Sequence, residues 1–415
     1  MEKIKICEPV HHRNSAEFVA SIDDLLIQIL LRQPVKSLFR FKSVSKHWQS
    51  LITNPRFCYL RSRKTNSAIG LFFARPGLTP ACRHIYDYVA FCDSASTRKL
   101  KYLVDTDSND VLQSCNGLLL CDSYSSEECR TRFYVCNPTT NRISVLPELN
   151  YDDDSQRYRK MSLAFDPKIS PHYKVVCVQQ FGWDKYIYRI VIYSSETGAW
   201  GVRGEPFTEY FRFGRGVYLN GAIHWMTPLT LDWVTTCNLA ELGWCNSMYF
   251  KIDDQVLDKM PRAPNLHLLG WLNKFYFGES CGHLHFAEIG VNKSQFNVYE
   301  MRNDYSEWFV KYQVDLSPVL AVYPEMIRDF DNPTMGLLYY NFSVFCIVRV
   351  EEDEDESFLV LHIPGKAIRY NLVRKTFKNL KKLEGEFDGH ECHQGSFNSY
   401  MYAPGYQYIE SMSCV

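Results

Sequence analysis

Apolar side chains recur at helical spacing near the start of the chain. Between Ile22 and Leu30 they fall at positions i, i+3, i+4, i+7 and i+8, which is the period of one side of an α-helix. Ser21 precedes this run as an N-cap candidate, and Pro34 disfavours helical backbone at the residue before it. The pattern therefore predicts a helix that begins after Ser21 and ends near Arg32.

Two further short helices and a helical turn follow in the pattern. Pro34 can begin the second helix, whose apolar positions include Val35 and Leu38, and a third helix is predicted over 45–53. Asn54-Pro55 ends that helix, and a short helical turn is predicted over 55–60. Three helices in about 40 residues bury too little apolar surface to be stable alone. The segment is therefore either a docking element for a partner or a helical cap on a larger domain.

From about Ser67 onward the pattern changes to short apolar runs separated by turn residues. Asn-Gly stands between apolar runs at 116–117 and 220–221, with a weaker Cys-Gly echo at 281–282, and Asn-Gly in this setting predicts a tight β-hairpin. A second hairpin module, strand, polar turn and strand, recurs at intervals of roughly 50 to 70 residues. Its copies lie at 133–146, 191–200, 248–257, 296–312 and 368–377.

Regular spacing of this kind predicts a ring of blades. Propeller blades repeat about every 40–50 residues, and the residues from 63 onward leave room for about six blades or seven. A closed ring leaves only short strand edges, which suits a chain this rich in strands. The alternatives that the pattern leaves open are a β-sandwich and two stacked β domains.

Composition agrees with a β-rich chain and limits its partners. Aromatic residues make up 15%, with 27 Tyr and 26 Phe, and aromatic side chains favour strands. The net charge of −1 gives no basic excess, so we expect no nucleic-acid partner. Neither a signal peptide nor a run of ~18 apolar residues is found, so we expect no membrane partner and a location in the cytoplasm, the nucleus or both. The 15 cysteines are expected to be free thiols.

Candidate chemistry is sparse. Cys281, His283 and His285 would share one face of a strand, and a second loose group of His and Cys lies at 390–393. A zinc site needs about four convergent ligands, so we expect neither a metal nor a cofactor. The six acidic residues of 351–356 and the shorter run at 152–154 are interpreted as solvated loops, although either could attract a basic substrate segment. Neither a glycine-rich phosphate loop nor a nucleophile elbow is found, and we expect no catalytic residues.

The N-terminal helices carry three motifs that stand close together. They are Leu-Leu-Arg-Gln-Pro-Val-Lys-Ser-Leu at 30–38, Phe-Lys-Ser-Val-Ser-Lys-His-Trp at 41–48 and Asn-Pro-Arg-Phe at 54–57. Together they resemble the F-box of plant F-box proteins over about 45 residues. The family usually begins with Leu-Pro, where this chain has Ser21-Ile22. Ile22 supplies an apolar contact, but the proline that pre-organises the first turn is missing.

This resemblance implies that the helical segment binds a Skp-type adaptor, which links it to a cullin and a RING subunit. Some of the apolar positions must instead pack the segment's own core, and the sequence does not separate the two groups. Trp48 is expected to serve both. Carried over by position, the expected adaptor contacts are Ile22, Leu25, Leu26, Leu30, Pro34, Val35, Leu38, Val44, Trp48 and Leu51.

The body of the chain resembles the F-box-associated domain of the same plant proteins. The resemblance rests on 114–120, Cys-Asn-Pro-Thr-Thr-Asn-Arg at 136–142, Ala-Phe-Asp-Pro at 164–167 and 217–225. It implies a propeller-like fold and a substrate-binding role. The expected fold class is an α+β multidomain chain, a three-helix F-box followed by a large all-β propeller of six or seven blades. We expect a disordered tail at 1–17, the F-box at 18–62, the propeller at 63–405 and a C-terminal tail at 406–415.

These observations predict a non-catalytic substrate-recognition subunit of a Skp-cullin-F-box ubiquitin ligase. The F-box would dock the adaptor, and the propeller would bind a protein target through residues that the sequence does not identify. A propeller that binds a carbohydrate or another small ligand, with the F-box as a tether outside a ligase, is the alternative.

Overall fold

A computed structural model of the chain describes residues 22–64, 68–75, 85–92, 100, 108–149, 159–180, 186–209, 211, 213–227, 247–264, 274–290, 293–327, 340–383, 405–413 and 415. The chain divides into two compact units, Met1–Lys64 and Thr65–Val415. The described part of the first unit is helical, and that of the second is almost entirely β. Ser21 and the predicted tail at 1–17 lie outside the described residues.

Four helices form the described part of the first unit. They are α1 (Asp23–Leu30), α2 (Val35–Phe41), α3 (Lys46–Thr53) and α4 (Pro55–Lys64). The three predicted helices are confirmed, with α1 ending slightly before Arg32. The predicted N-cap of α1 is wrong by one residue, because Ile22 and not Ser21 holds that position and its side chain makes no capping hydrogen bond. The predicted turn at 55–60 is wrong in length, because the helix continues to Lys64.

Local side-chain chemistry explains where these helices begin. Pro34 occupies the N-cap position of α2, where its missing N–H removes no helical hydrogen bond. At the start of α3 the Ser45 hydroxyl accepts a hydrogen bond from the Trp48 amide at 3.1 Å. The core that these helices enclose consists of Leu26, Leu30, Leu31, Val35, Leu38, Leu51, Ile52 and Phe57.

Arg61 ties α4 to the connection between α1 and α2. Its guanidinium donates to the carbonyls of Leu31 at 3.0 Å and Gln33 at 2.5 Å. Those carbonyls follow the last turn of α1, where backbone acceptors have no partner within the helix. A buried charged group thus satisfies acceptors that a short helix would otherwise leave open.

The described part of the second unit contains six antiparallel sheets. The first contains β1 (Gly70–Arg75), β2 (Ile85–Ala90) and the C-terminal strand β23 (Gly405–Tyr408). The next two four-stranded sheets are β3 (Ser108–Cys115), β4 (Leu118–Ser125), β5 (Arg130–Asn137) and β6 (Arg142–Val145), then β7 (Arg159–Ala164), β8 (Lys174–Gln180), β9 (Ile187–Ser194) and β10 (Ala199–Thr208). The fourth sheet contains β11 (Val217–Leu219), β12 (Ala222–Met226), β13 (Ser247–Lys251) and β14 (Val256–Lys259). The fifth contains β15 (Lys274–Ser280), β16 (His283–Ile289), β17 (Gln295–Met301) and β18 (Trp308–Asp315). The sixth contains β19 (Ser343–Val348), β20 (Phe358–Ile363), β21 (Lys366–Asn371) and β22 (Phe377–Lys382).

The first strand of each four-stranded sheet and β23 form an inner ring. β3 lies beside β7, β7 beside β11, β11 beside β15 and β15 beside β19, while β23 lies between β19 and β3. The six sheets are therefore the blades of a six-bladed propeller, numbered here one to six with β1, β2 and β23 as blade one. The predicted propeller is confirmed at six blades, and the sandwich alternatives are excluded.

The predicted C-terminal tail at 406–415 is wrong in its first three residues. β23 pairs with β1, so the chain's last strand closes the ring against its first. Gln407 accepts from the Ser114 hydroxyl and donates to the Ile347 carbonyl at 3.0 Å, which links β23 to both neighbouring blades. Four residues are too few for a pattern to identify as a strand, and closure of the ring selects them.

The hairpin predictions are confirmed. Asn116 and Gly117 have φ of 46° and 89°, and Asn220 and Gly221 have 48° and 77°. Two successive positive φ angles define the hairpin turn that Asn-Gly favours. Cys281-Gly282 forms the same kind of turn between β15 and β16. The five copies of the second module are the two outer strands of blades two to six.

Helix α5 (Ser317–Val322) and a short 3-10 turn at 324–326 follow β18. Within the described ranges, no helix has the length and apolar character needed to span a membrane.

Candidate functional site

The ten expected adaptor contacts fall into two groups in the helical unit. Those that pack inside the unit are Leu26, Leu30, Val35, Leu38 and Leu51, each at most 9% exposed. Those that reach solvent are Ile22, Leu25, Pro34, Val44 and Trp48. Only the second group can touch a partner without opening the core, so the structure makes the division that the sequence left undecided.

Helix α1 presents two parallel rows of apolar side chains. Leu26 and Leu30 form the buried row, and Leu25 and Ile29, also four residues apart, form a second row that is 45% and 44% exposed. Ile29 is absent from the expected adaptor contacts. The sequence signal for it is the width of the stripe, since six apolar positions in the nine residues 22–30 exceed what one buried helix face needs.

The start of α3 adds to the exposed apolar surface. Val44, in the connection before α3, is 61% exposed. Trp48 is half-buried, with its ring edge-to-face against Phe41 at 5.4 Å between centroids. An imidazole nitrogen of His47 lies 3.1 Å from the Asp23 carboxylate, which places the start of α3 beside the start of α1.

We call this set the docking surface and keep that name below. Its residues are Ile22, Leu25, Ile29, Pro34, Val44 and Trp48. Exposed large apolar side chains that lie together indicate a protein interaction site, whereas isolated ones need no explanation.

On the propeller, the acidic run at 351–356 forms the loop between β19 and β20, as predicted. Its second half is held by cations. Glu354 lies 2.6 Å from the Lys311 ammonium, and Glu356 lies 2.7 Å from the Arg374 guanidinium. The hydrogen bond from Lys311 lowers the pKa of Glu354. Its first half, 351–353, is exposed to solvent. About half of the run's charge is therefore compensated within the propeller.

His283 and His285 lie against a buried carboxylate. A ring nitrogen of each is 3.2 Å from an oxygen of Glu300, and the Arg349 guanidinium is also 3.2 Å from that carboxylate. Burial raises the pKa of Glu300, but His285, His283 and Arg349 together hold it below its usual value. Burial also lowers the pKa of His285, so a neutral imidazole faces an ionised carboxylate.

Cys281 has a different hydrogen-bond partner from these histidines. It lies in the turn before β16, and its thiol donates to the Arg349 carbonyl at 3.2 Å. No group of three or more His, Cys, Asp or Glu side chains in the described part of the chain is arranged to hold a metal ion. The loose group at 390–393 and the acidic run at 152–154 lie outside the described residues.

Comparison with known proteins gives matches to both units. The F-box domain family matches residues 23–60, and the F-box associated beta propeller domain family matches residues 88–236. F-box protein At5g07610 of Arabidopsis thaliana is 35% identical over 430 residues, which cover 97% of this chain and 94% of that protein. F-box protein At5g18160 of the same plant is 28% identical over 49% of this chain and 50% of its own length.

Likeness to solved structures is weaker. An oligogalacturonate lyase in complex with manganese matches with a TM-score of 0.40 and 8% identity over 74% of each chain. A likeness at that level carries no argument about activity.

Proposed function

The chain belongs to the F-box proteins that carry an F-box-associated β-propeller domain, and we propose from this premise that it is the substrate receptor of a Skp-cullin-F-box ubiquitin ligase. In this proposal the helical unit docks a Skp-type adaptor, the adaptor joins it to a cullin and a RING subunit, and the propeller binds a protein target. The chain itself contributes no catalytic group.

The docking surface is the observation that supports the adaptor half of the proposal. Leu25, Ile29 and Val44 keep between 44% and 61% of their surface in solvent while the row beside them fills the core. Burying a Leu, Ile or Val side chain completely contributes roughly 1.5–3 kcal/mol, so covering the exposed half contributes about 1 kcal/mol for each. Together with the half-buried Trp48, these side chains have the apolar and aromatic character of interface hot spots.

The propeller half of the proposal rests on the closed ring of six blades. Six blades closed by β23 form a rigid support, and a target held on it would stay near the ubiquitin-conjugating enzyme. Holding two reactants together makes their encounter effectively intramolecular, which accelerates transfer without any catalytic residue in the receptor. We extend the proposal to location, and expect the complex in the cytoplasm, the nucleus or both.

Co-expression with a Skp-type adaptor, a cullin and a RING subunit tests this function. We expect the full chain to elute with all three on size exclusion, and the double variant Leu25→Asp, Ile29→Asp to elute alone with an unchanged circular dichroism spectrum. Ser50→Asp, at an exposed position of α3 outside the docking surface, is the matched control and should still assemble.

Two outcomes would contradict the proposal. Assembly of the double variant as efficiently as wild type would remove the docking surface from the interface. Binding of the adaptor without any recruitment of the cullin would instead favour a tethered ligand-binding propeller.

A further inference from the structure

A cavity of about 770 Å³ lies between blades two and three. Blade two contributes the first residues of β5 and the segment that follows β6, and blade three contributes Arg159 and Met161 of β7 and Trp200 of β10. The volume falls within the roughly 300–1,000 Å³ of typical ligand sites. It accommodates a few side chains of a partner, not a folded domain.

Among the residues that the structure describes, three arginines line this cavity, namely Arg130, Arg132 and Arg159. Arg130 pairs with Glu148, and an Arg132 guanidinium nitrogen donates to both Glu128 oxygens at 2.6 and 2.7 Å. Every side chain in these two pairs is at least 43% exposed, so water screens each pair and its contribution to stability is small. A ligand's anionic group can replace such a partner at little cost, and a guanidinium binds carboxylate or phosphate through two parallel hydrogen bonds.

Apolar side chains stand next to the arginines. Val145, on the outermost strand of blade two, is 49% exposed within the cavity lining. The Trp200 indole is fixed by its hydrogen bond to the Pro147 carbonyl at 2.7 Å, and Leu146 and Met161 are buried. A fixed aromatic side chain beside arginines is a common composition of protein-binding hot spots.

Asp122 is the lining carboxylate whose charge varies near neutral pH. Burial and the charge of Asp110, directly opposite on β3, raise its pKa to about 7, while Lys160 on β7 opposes that rise. Tyr406 on β23 also lies near Asp122, and burial raises its own pKa to about 12, so it stays neutral. The other charged groups of the lining, within the described ranges, are Arg130, Arg132, Arg159 and Glu148. With Glu128 beside Arg132, the described groups comprise three cations and two carboxylates besides Asp122, so the cavity becomes more positive as the pH falls below about 7.

We propose that this cavity is the target-recognition site and that it binds a protein segment in which an acidic side chain stands next to an apolar one. The proposal rests on the receptor function proposed above and names the class of target. The acidic group would meet Arg132 and Arg159, and the apolar side chain would pack on Val145 and Trp200. A carboxylate and a phosphorylated hydroxyl share this chemistry, and the experiment separates them.

A random peptide library displayed on phage and selected on the full chain in complex with its adaptor tests the proposal. We expect the selected peptides to share an acidic residue beside an apolar one. The affinities of the synthetic peptides, measured by fluorescence polarisation, should fall about tenfold in Arg132→Glu and Arg159→Glu, since each removes a charge-assisted hydrogen bond. Replacing the acidic residue by phosphoserine shows which of the two anionic groups the site prefers.

Arg142→Glu is the matched control, because Arg142 is exposed on the same blade and lies outside the lining.

A second readout, the dependence of affinity on pH, is independent of the arginines. Affinity for the acidic peptides should rise as the pH falls from about 8 to about 6, because protonation of Asp122 removes a negative charge, and Asp122→Asn should abolish most of that dependence.

Selection of basic or uncharged peptides would overturn the proposal, as would equal losses of affinity in Arg132→Glu and Arg142→Glu. Assembly with the adaptor separates this failure from failure of the proposed function. If every variant assembles a ligase but acidic peptides bind elsewhere, only the cavity assignment is wrong. If acidic peptides bind the cavity but no ligase assembles, the receptor function is wrong and the cavity assignment stands.

Discussion

At the scale of single residues, Leu25 and Leu26 are neighbours with opposite surroundings. Leu26 is 3% exposed and packs inside the helical unit, while Leu25 is 45% exposed on the docking surface. Both belong to one apolar stripe, so their different roles follow from the packing of α3 and not from their own sequence positions. The pair offers two substitutions of equal chemistry with separable effects.

We expect Leu26→Ala to lower the free energy of unfolding of the helical unit by about 2–5 kcal/mol, because it leaves a cavity in a small core. Leu25→Ala should change that free energy by less than about 1 kcal/mol and should weaken adaptor binding several-fold. Urea unfolding and isothermal titration with the adaptor measure the two effects. An equal loss of stability in both variants would show that the two leucines are not divided as described.

Gly117 and Gly221 form a second informative pair. Both have positive φ, 89° and 77°, in equivalent turns of blades two and four. A Cβ atom added at Gly117 would lie 2.5 Å from the Ser411 Cβ and 2.7 Å from the Ile409 carbonyl oxygen, while one at Gly221 meets nothing within 4 Å. The two glycines therefore separate backbone strain from crowding against the C-terminal segment.

We expect Gly221→Ala to cost about 1 kcal/mol, the usual penalty for a side chain in left-handed backbone. Gly117→Ala should cost more, because it also displaces the segment after β23. Chemical denaturation of both variants gives the difference. Equal costs would mean that the C-terminal segment yields freely at this contact.

At the scale of elements, a polar contact joins blades four and five. The His224 imidazole on β12 lies 2.7 Å from the Tyr305 hydroxyl, and its other nitrogen lies 3.2 Å from the Val217 carbonyl. Tyr305 also stacks on Tyr249 with 4.7 Å between ring centroids. Burial lowers the pKa of His224 to about 4, so this imidazole is neutral in the folded protein at pH 7.

This depressed pKa predicts a loss of stability in acid. The unfolded chain binds a proton at His224 below its ordinary pKa of 6.5, and the folded protein does so only near 4. Stability from this residue is therefore present above about pH 6.5 and declines as the pH falls towards 4, by about 2 kcal/mol at pH 5. His224→Gln should unfold with a weaker dependence on pH between 7 and about 5 in denaturant titrations.

A matched substitution controls for the other buried histidines. Tyr305→Phe removes the hydroxyl partner but leaves His224 to titrate, so its dependence on pH should stay close to that of wild type. A His224→Gln variant that loses stability in acid as steeply as wild type would assign the effect to His283 and His285.

At the scale of the whole molecule, the propeller depends on its last strand. β23 supplies the innermost strand of blade one and contacts the inner strands of blades two and six. Asn137 of blade two further donates to the carbonyls of Ser411 at 3.1 Å and Ser413 at 2.8 Å. The ring is therefore closed by segments more than 300 residues apart in sequence.

We expect residues 65–415 to unfold in one cooperative transition without the helical unit, because the two units are separately compact. Residues 65–404 should lose that transition, since removal of β23 exposes the edges of three blades. Differential scanning calorimetry of both fragments measures this. A sharp transition in the shorter fragment would show that five blades and an open sixth suffice.

Much of this architecture was predictable because it is encoded locally. The Asn-Gly turns and the Pro34 start each depend on residues within one turn of the chain, and the repeated hairpins are the outer halves of blades two to six. Hairpin spacing limited the blades to six or seven. The helical motifs identified the F-box, and the family comparison agrees with them.

Tertiary structure alone decided features that join distant parts of the chain. The burial of Leu26 and exposure of Leu25, the Glu300 network with Arg349, the cavity between blades two and three, and the strand at 405–408 all depend on neighbours far away in sequence. A local pattern reports which face is apolar, but burial is set by what covers that face. Ring closure is likewise not determined by a local pattern, because the free energy that stabilises it arises from contacts that exist only when both ends of the propeller meet.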